Sequence, residues 1–131
     1  MQKDIRWRQR LENYSKALLH LKKAVQIKEA DIIVQAAVIQ FFEVAFELAW
    51  KTIKDYLQEE GFADVKSPRA ALKKAFETGL ILDGQTWLEA LQKRNTTVHT
   101  YDEKSAEIIY HLICDIYYPL MEVLHGDLEK L

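Results

Sequence analysis

The chain has 131 residues, 49% hydrophobic and 29% charged, with a formal net charge of −2. That length allows one domain with a core of its own and is short for two, so a single domain over residues 1–131 is expected. The balance excludes a disordered chain, and the slight acidity excludes a dedicated basic coat, so no DNA-specific binding is expected. Charge is nonetheless uneven: residues 1–30 carry eight Lys/Arg against three Asp/Glu, and residues 101–131 carry two against seven. Alternating solvated faces account for this more simply than a steering dipole. Only four Gly and two Pro are present, which favours helices over long loops.

From residues 4 to 27 the apolar positions Trp7, Leu11, Tyr14, Leu18, Leu21 and Val25 recur every three or four residues. They form one face of an amphipathic helix. Asp31 is placed to cap a second helix over residues 32–60, which Gly61 ends. Much of that helix, IIVQAAVIQFFEVAFELAW, is apolar almost all round. A membrane span is excluded because Glu43 and Glu47 fall inside it, and a carboxylate near the bilayer centre costs about 2.5–3.5 kcal/mol. Gln40, Glu43, Glu47, Lys51 and Lys54 instead make one narrow polar stripe. A small monomeric bundle needs only about a 100° apolar arc on each helix. The excess predicts that a second copy covers this helix, hence a homo-oligomer.

Ser67-Pro68 opens a short helix over residues 68–78, ended by Gly79, and residues 80–84 form a turn. Asp83 caps a fourth helix from about residue 85. A fifth runs over residues 102–128, with Asp102 and Glu103 at its positive end and Ile109, Leu112/Ile113, Ile116, Leu120 and Val123/Leu124 as its buried stripe. Pro119 predicts a kink within it. The expected fold is all-α: an antiparallel four-helix up-and-down bundle with one additional short helix. Cys114 lies in an apolar run, where a small buried hydrophobe is the simpler reading than a reactive thiol. A lone cysteine fits a reducing cytoplasm, and the opening MQKDIRWRQR has no apolar leader.

Of the four histidines, His20, His99, His111 and His125, none stands four residues from another, so no metal site and no cofactor are expected. Phosphate-loop and nucleophile-elbow patterns are missing too. The chemistry concentrates in residues 87–101, WLEALQKRNTTVHTY. Trp87, Leu88, Leu91 and Val98 are its apolar positions. Arg94, Asn95, Thr96, Thr97, His99, Thr100 and Tyr101 crowd into its second half. An arginine fork suits phosphate, and an imidazole exchanges protons near neutrality. Together they are the least that metal-independent cleavage of RNA requires, the histidine acting as base or acid and the arginine balancing the phosphorane. On an ideal helix, however, Arg94 and His99 point about 140° apart, whereas Arg94 and Tyr101 nearly align. Either the helix distorts across Thr96-Thr97-Val98, or two chains contribute. Taken bare, an Arg and a His five residues apart are a weak signal, and a capping or buried network accounts for them more simply.

The motif RNTTVHTY resembles the Arg-polar-x3-His-x-Tyr signature of HEPN-domain proteins. FFEVAFELAWKTIKDYLQEEG, SPRAALKKAFETGLI and WLEALQKRNTTVHTYDEKSAE are similar, in order, to blocks of its nucleotidyltransferase substrate-binding subfamily, the partners of minimal nucleotidyltransferases. The resemblance implies a helical homodimer whose two motifs face a shared cleft. It implies Arg94 and His99 as the catalytic pair of a metal-independent ribonuclease, often a toxin, with Asn95 as the polar position. It further implies that a nucleotidyltransferase silences such a toxin by transferring AMP to the motif tyrosine, here Tyr101. Glu47 and Lys51 are carried over as candidate RNA- or nucleotide-binding residues in the same cleft. The alternative reading is a non-catalytic substrate- or nucleotide-binding subunit of a two-component nucleotidyltransferase, and a purely structural bundle is the third.

Overall fold

The computed structural model describes residues 2–97 and 102–131, with side chains from Ile5 onward. The fold is all-helical among the described residues. Its elements are α1 (Gln2–Val25), α2 (Ile32–Glu59), α3 (Pro68–Glu77), α4 (Gly84–Thr97), α5 (Glu103–Leu112), a π turn (Ile113–Tyr117) and α6 (Tyr118–Glu129).

The α1 stripe lies where its spacing predicts: Trp7, Leu11, Tyr14, Leu18 and Leu21 are buried. That face meets α2 running the other way, because Trp7 packs on Tyr56 at 5.1 Å near one end and His20 on Phe41 at 5.8 Å near the other. Between them Arg10 Nε donates to the buried Asp55 Oδ2 at 3.0 Å, which supplies the partner that a carboxylate needs inside a fold. Helix starts follow the predicted caps. Asp31 accepts from the Val34 amide at 2.9 Å, Ser67 from Ala70 at 3.2 Å, Asp83 from Thr86 at 3.1 Å, and Asp102 from Ser105 Oγ at 3.0 Å.

Two helix ends share one stop. Gly61 has φ 105° and Gly79 φ 81°, a region costly for any residue with a Cβ. Each left-handed residue lets the next amide reach back to an orphan carbonyl, Phe62 to Leu57 at 3.0 Å and Leu80 to Ala75 at 2.9 Å. The chain then turns sharply between α3 and α4. Gly84 lies so close to Phe76 that a Cβ there would meet the Phe76 side chain at 3.0 Å.

The predicted fifth helix is interrupted. Ahead of Pro119, which lacks the amide that an α-helix would use, the backbone widens into the π turn, and the Tyr118 amide bonds to the Ile113 carbonyl five residues back. The extra residue moves the buried stripe to Ile109, Ile113, Tyr117, Met121, Leu124 and Leu128, and leaves Ile116 and Val123 exposed. This corrects the stripe expected from uninterrupted α-helical spacing. The rod packs on α1 in antiparallel fashion, with Tyr14 Oη donating to the Met121 carbonyl at 2.6 Å and Arg8 Nη2 to the Leu131 carbonyl at 2.9 Å. It therefore runs in the same direction as α2.

A run of rings ties the centre together. Phe42 packs on Phe46 at 5.7 Å and stacks on Tyr117 at 5.8 Å, and Phe46 meets Trp87 of α4 at 5.8 Å. By length and composition α2 would cross a membrane, yet here it is the core helix, burying Val38, Phe42, Phe46, Ala49 and Ile53. Only 28% of its most apolar 18-residue window is buried, and Ile33 and Val44 stay 74% and 44% exposed. These two share a face with Gln40, Glu47 and Lys51 at helical spacing, so the outward face of α2 mixes exposed apolar and polar side chains.

Candidate functional site

Trp87 and Arg94 are seven residues apart, two turns of α4, and so share a face. Burial of Trp87, Ala90 and Leu91 fixes α4 in the bundle and carries Arg94 over the middle of α2. There Arg94 Nη2 donates to Glu47 Oε2. The same carboxylate accepts from Trp50 Nε1 at 3.1 Å and pairs through Oε1 with Lys51 Nζ at 3.2 Å. Partial burial pushes the Glu47 carboxyl upward, but the Trp50 and Lys51 hydrogen bonds and the Arg94 charge outweigh that and hold it below its ordinary range. One anion thus faces two cations. The cluster keeps a net positive charge at a half-buried surface, where an anion is attracted more strongly than in open water. Asn95 Oδ1 accepts a long contact from Arg94 Nη1 at 3.4 Å, which turns that amide toward the same surface.

The helix closes on two hydroxyls. Thr96 Oγ1 donates to the Lys93 carbonyl and Thr97 Oγ1 to the Arg94 carbonyl, each at 2.8 Å, so side chains occupy carbonyls that the ending helix leaves unused. Val98, His99, Thr100 and Tyr101 lie outside the described residues, so the structure brings together Arg94, Asn95, Glu47 and Lys51 of the predicted set.

The comparisons with known proteins bear on the same residues. The family model described as "Nucleotidyltransferase substrate binding protein like" matches residues 9–130. The chain belongs to that family. The HEPN assignment made from RNTTVHTY and the three blocks stands with it. A Haemophilus influenzae protein named "Probable ribonuclease HepT" is 36% identical over 90 residues, which cover 61% of this chain and 58% of that protein. The match thus spans less than two thirds of that relative. A crystal structure of a Thermus thermophilus protein superposes with a TM-score of 0.80 at 34% identity, over 86% of this chain and 96% of that one.

Elsewhere in this family member, α1 and α6 juxtapose Ser15, His125 and Glu129. Ser15 Oγ lies 2.5 Å from His125 Nε2, and His125 Nδ1 lies 3.4 Å from Glu129 Oε1. The set has the atoms of a nucleophile relay but not its direction. Ser15 Oγ already donates to the Leu11 carbonyl at 2.9 Å, so the imidazole contact runs from Nε2–H to Oγ. The surrounding amides are spent inside α1, which leaves none for an oxyanion. It is a polar seam between helices. His20 is packed against Phe41, and His111 is exposed beside Glu107 at 3.9 Å. Among the described residues no three His, Cys, Asp or Glu side chains converge to hold a metal. Burial pushes the half-buried Cys114 thiol upward, away from thiolate chemistry.

Two features escaped sequence reasoning. Trp50 reads as core from its spacing, yet its indole N–H reaches Glu47. Arg69, one residue past Pro68 at the start of α3, borders a cleft with Gln85, Gln92 and Asn95 of α4. The spacing of 85, 88, 92 and 95 marks one helix face, and that was the available signal.

Proposed function

We propose that this chain is the HEPN toxin-type subunit of a two-gene toxin–antitoxin module, a metal-independent endoribonuclease working in the cytoplasm as a homodimer. Arg94 and His99 are its catalytic pair. Arg94 balances charge on the phosphorane as the ribose 2′-oxygen attacks phosphorus and the 5′-oxygen leaves. His99 takes the 2′-hydroxyl proton, and the imidazole of the second copy protonates the leaving oxygen, in keeping with the expectation that two chains contribute. Asn95 and Lys51 hold the flanking backbone, and Glu47 holds Arg94.

The observation that carries this reading is the unbalanced cluster: a guanidinium and an ammonium around one carboxylate, at the end of the helix where the motif begins. The family match and the printed name of the Haemophilus relative support it. The exposed Ile33 and Val44, on the face of α2 that carries Glu47 and Lys51, support a second copy covering α2 beside the cluster. A minimal nucleotidyltransferase partner controls the subunit: the Tyr101 hydroxyl attacks the α-phosphorus of ATP, pyrophosphate leaves, and AMP stays on the tyrosine.

A second reading, a non-catalytic nucleotide-binding subunit, is favoured by the family description and uses the same charge surplus. Incubation of purified protein with RNA in EDTA separates the two. Cleavage that His99→Ala abolishes while the dimer persists supports the enzyme. Nucleotide binding that needs Arg94 without any cleavage supports the binding subunit. With the partner and ATP, a mass gain in AMP units on the wild type but not on Tyr101→Phe supports the control mechanism.

A further inference from the structure

Between the start of α3 and the outer face of α4 lies a cleft of about 590 Å³ whose lining includes Asn95, the chain neighbour of Arg94. Its α4 wall presents Gln85, Leu88, Gln92 and Asn95, which fall within about an 80° arc of an ideal helix. Its α3 wall presents Arg69, at the second position of that helix. Leu88 and the buried Leu91 supply an apolar floor. Glu89 also borders the cleft, but its Oε2 accepts the Tyr117 hydroxyl at 2.7 Å, so part of its acceptor capacity is already used.

The polar groups here are unspent. Arg69, Gln85 and Gln92 make no hydrogen bond or ion pair among the described residues, although each has several donors or acceptors. A planar guanidinium at a cleft mouth suits phosphate and also offers a flat face to a heterocycle. Side-chain amides carry a donor and an acceptor side by side, which matches the edge of a nucleobase. Leucines beneath accept the face of a base. Single-stranded RNA is read by this combination of base-edge hydrogen bonds and stacking, with the phosphates held separately.

We infer that this cleft is a subsite for one nucleotide of single-stranded RNA next to the phosphate held by Arg94. In it, Gln85, Gln92 and Asn95 meet the base edge and Arg69 meets the following phosphate. The inference rests on the RNA reading proposed above and extends it from the scissile phosphate to a neighbouring base. A protein segment of the nucleotidyltransferase is the competing occupant, but the floor is small and the rim is rich in amides, which fits a base better than a buried side-chain cluster.

The test uses 2′-O-methyl oligonucleotides, which bind without being cleaved, on the full-length wild type, Arg69→Ala, Gln92→Ala and Arg94→Ala. Arg69 is exposed, so its replacement leaves the core untouched. Arg69→Ala is expected to weaken a hexanucleotide about tenfold and to lower the slope of log affinity against log salt by about 0.7, the value for one phosphate on a single strand. Gln92→Ala is expected to change the ranking of A, C, G and U hexamers and leave that slope alone. Arg94→Ala weakens dinucleotide and hexanucleotide alike, whereas the Arg69 change spares the dinucleotide. Unchanged hexanucleotide affinity and slope in Arg69→Ala, with wild-type RNA cleavage intact, would overturn the subsite and leave the ribonuclease reading standing. A wild type that neither binds oligonucleotide nor cleaves RNA would overturn both. If Arg69→Ala weakens only the complex with the nucleotidyltransferase, the cleft is a protein dock and the inference fails.

Discussion

The guanidinium of Arg94, near the end of α4, is bonded to the carboxylate of Glu47 in the middle of α2, and these residues are 47 positions apart in the chain. That contact decides how the cluster responds to change. Glu47 both places the arginine and cancels part of its charge. Removing the carboxylate therefore has two opposed effects, a looser guanidinium and a stronger local positive field. Geometry dominates for catalysis, because an arginine free to rotate rarely holds a phosphorane in line. Glu47→Ala is expected to lower the rate of RNA cleavage at least tenfold while leaving oligonucleotide affinity equal or tighter. Single-turnover rates and binding isotherms on the same variant check this, and a parallel loss of both would contradict it.

The depressed carboxyl of Glu47 fixes the sign of a pH effect. A group whose native pKa lies below its unfolded value of about 4.5 stabilises the fold above that value and loses the contribution as pH falls through the native one. The difference in unfolding free energy between wild type and Glu47→Gln is expected to be constant above about pH 5.5 and to shrink steadily below about pH 4.5. Urea titrations from pH 3 to 7 give the curve. A difference that grows on acidification would reverse the assignment.

Tyr14 is fully buried, and its hydroxyl donates to the Met121 carbonyl at 2.6 Å, a buried tie between α1 and α6. Tyr14→Phe removes that donor and little else. The expected cost is about 1 kcal/mol, the usual net worth of a neutral buried hydrogen bond, read from urea unfolding. Because the contact joins the first helix to the last, hydrogen exchange should rise in both helices together.

The π turn makes a prediction of an unusual kind. With Ile116 deleted, the buried positions Ile109, Ile113, Tyr117, Met121 and Leu124 become spaced as a plain α-helix requires, whereas they now need one extra residue. Loss of that exposed residue is expected to cost under about 2 kcal/mol, since no core side chain leaves its place. Deleting Glu122 instead turns Leu124 and Leu128 about 100° away from the core and is expected to abolish cooperative unfolding. Equal damage from the two deletions would show that the turn is not what sets the register.

The helices that sequence makes legible are those whose register is never broken. The α1 stripe from Trp7 to Leu21, the Asp31, Ser67, Asp83 and Asp102 caps and the stops at Gly61 and Gly79 all follow from short-range chemistry, and all stand in the structure. The stripe of the last helix does not follow from it. Pro119 announces a disturbance, but a kink and a π turn answer the missing amide differently, and only the second shifts every later residue. At the site, the Arg94 motif and the stripe of α2 are readable separately. Their meeting depends on the angle at which α4 lies across α2, which is set by Trp87 packing on Phe46. Spacing along a chain carries no information on that angle.

The elbow between the two short helices sets a last constraint. Where Gly84 nestles against Phe76, an added Cβ would lie 3.0 Å from that side chain and press the foot of one arm against the other. The contact brings the two arms close at the elbow, and the cleft bordered by Arg69 and Gln92 lies between them. In the proposed reading, a strand of RNA entering that cleft meets walls joined at an elbow whose aromatic ring lies outside the lining.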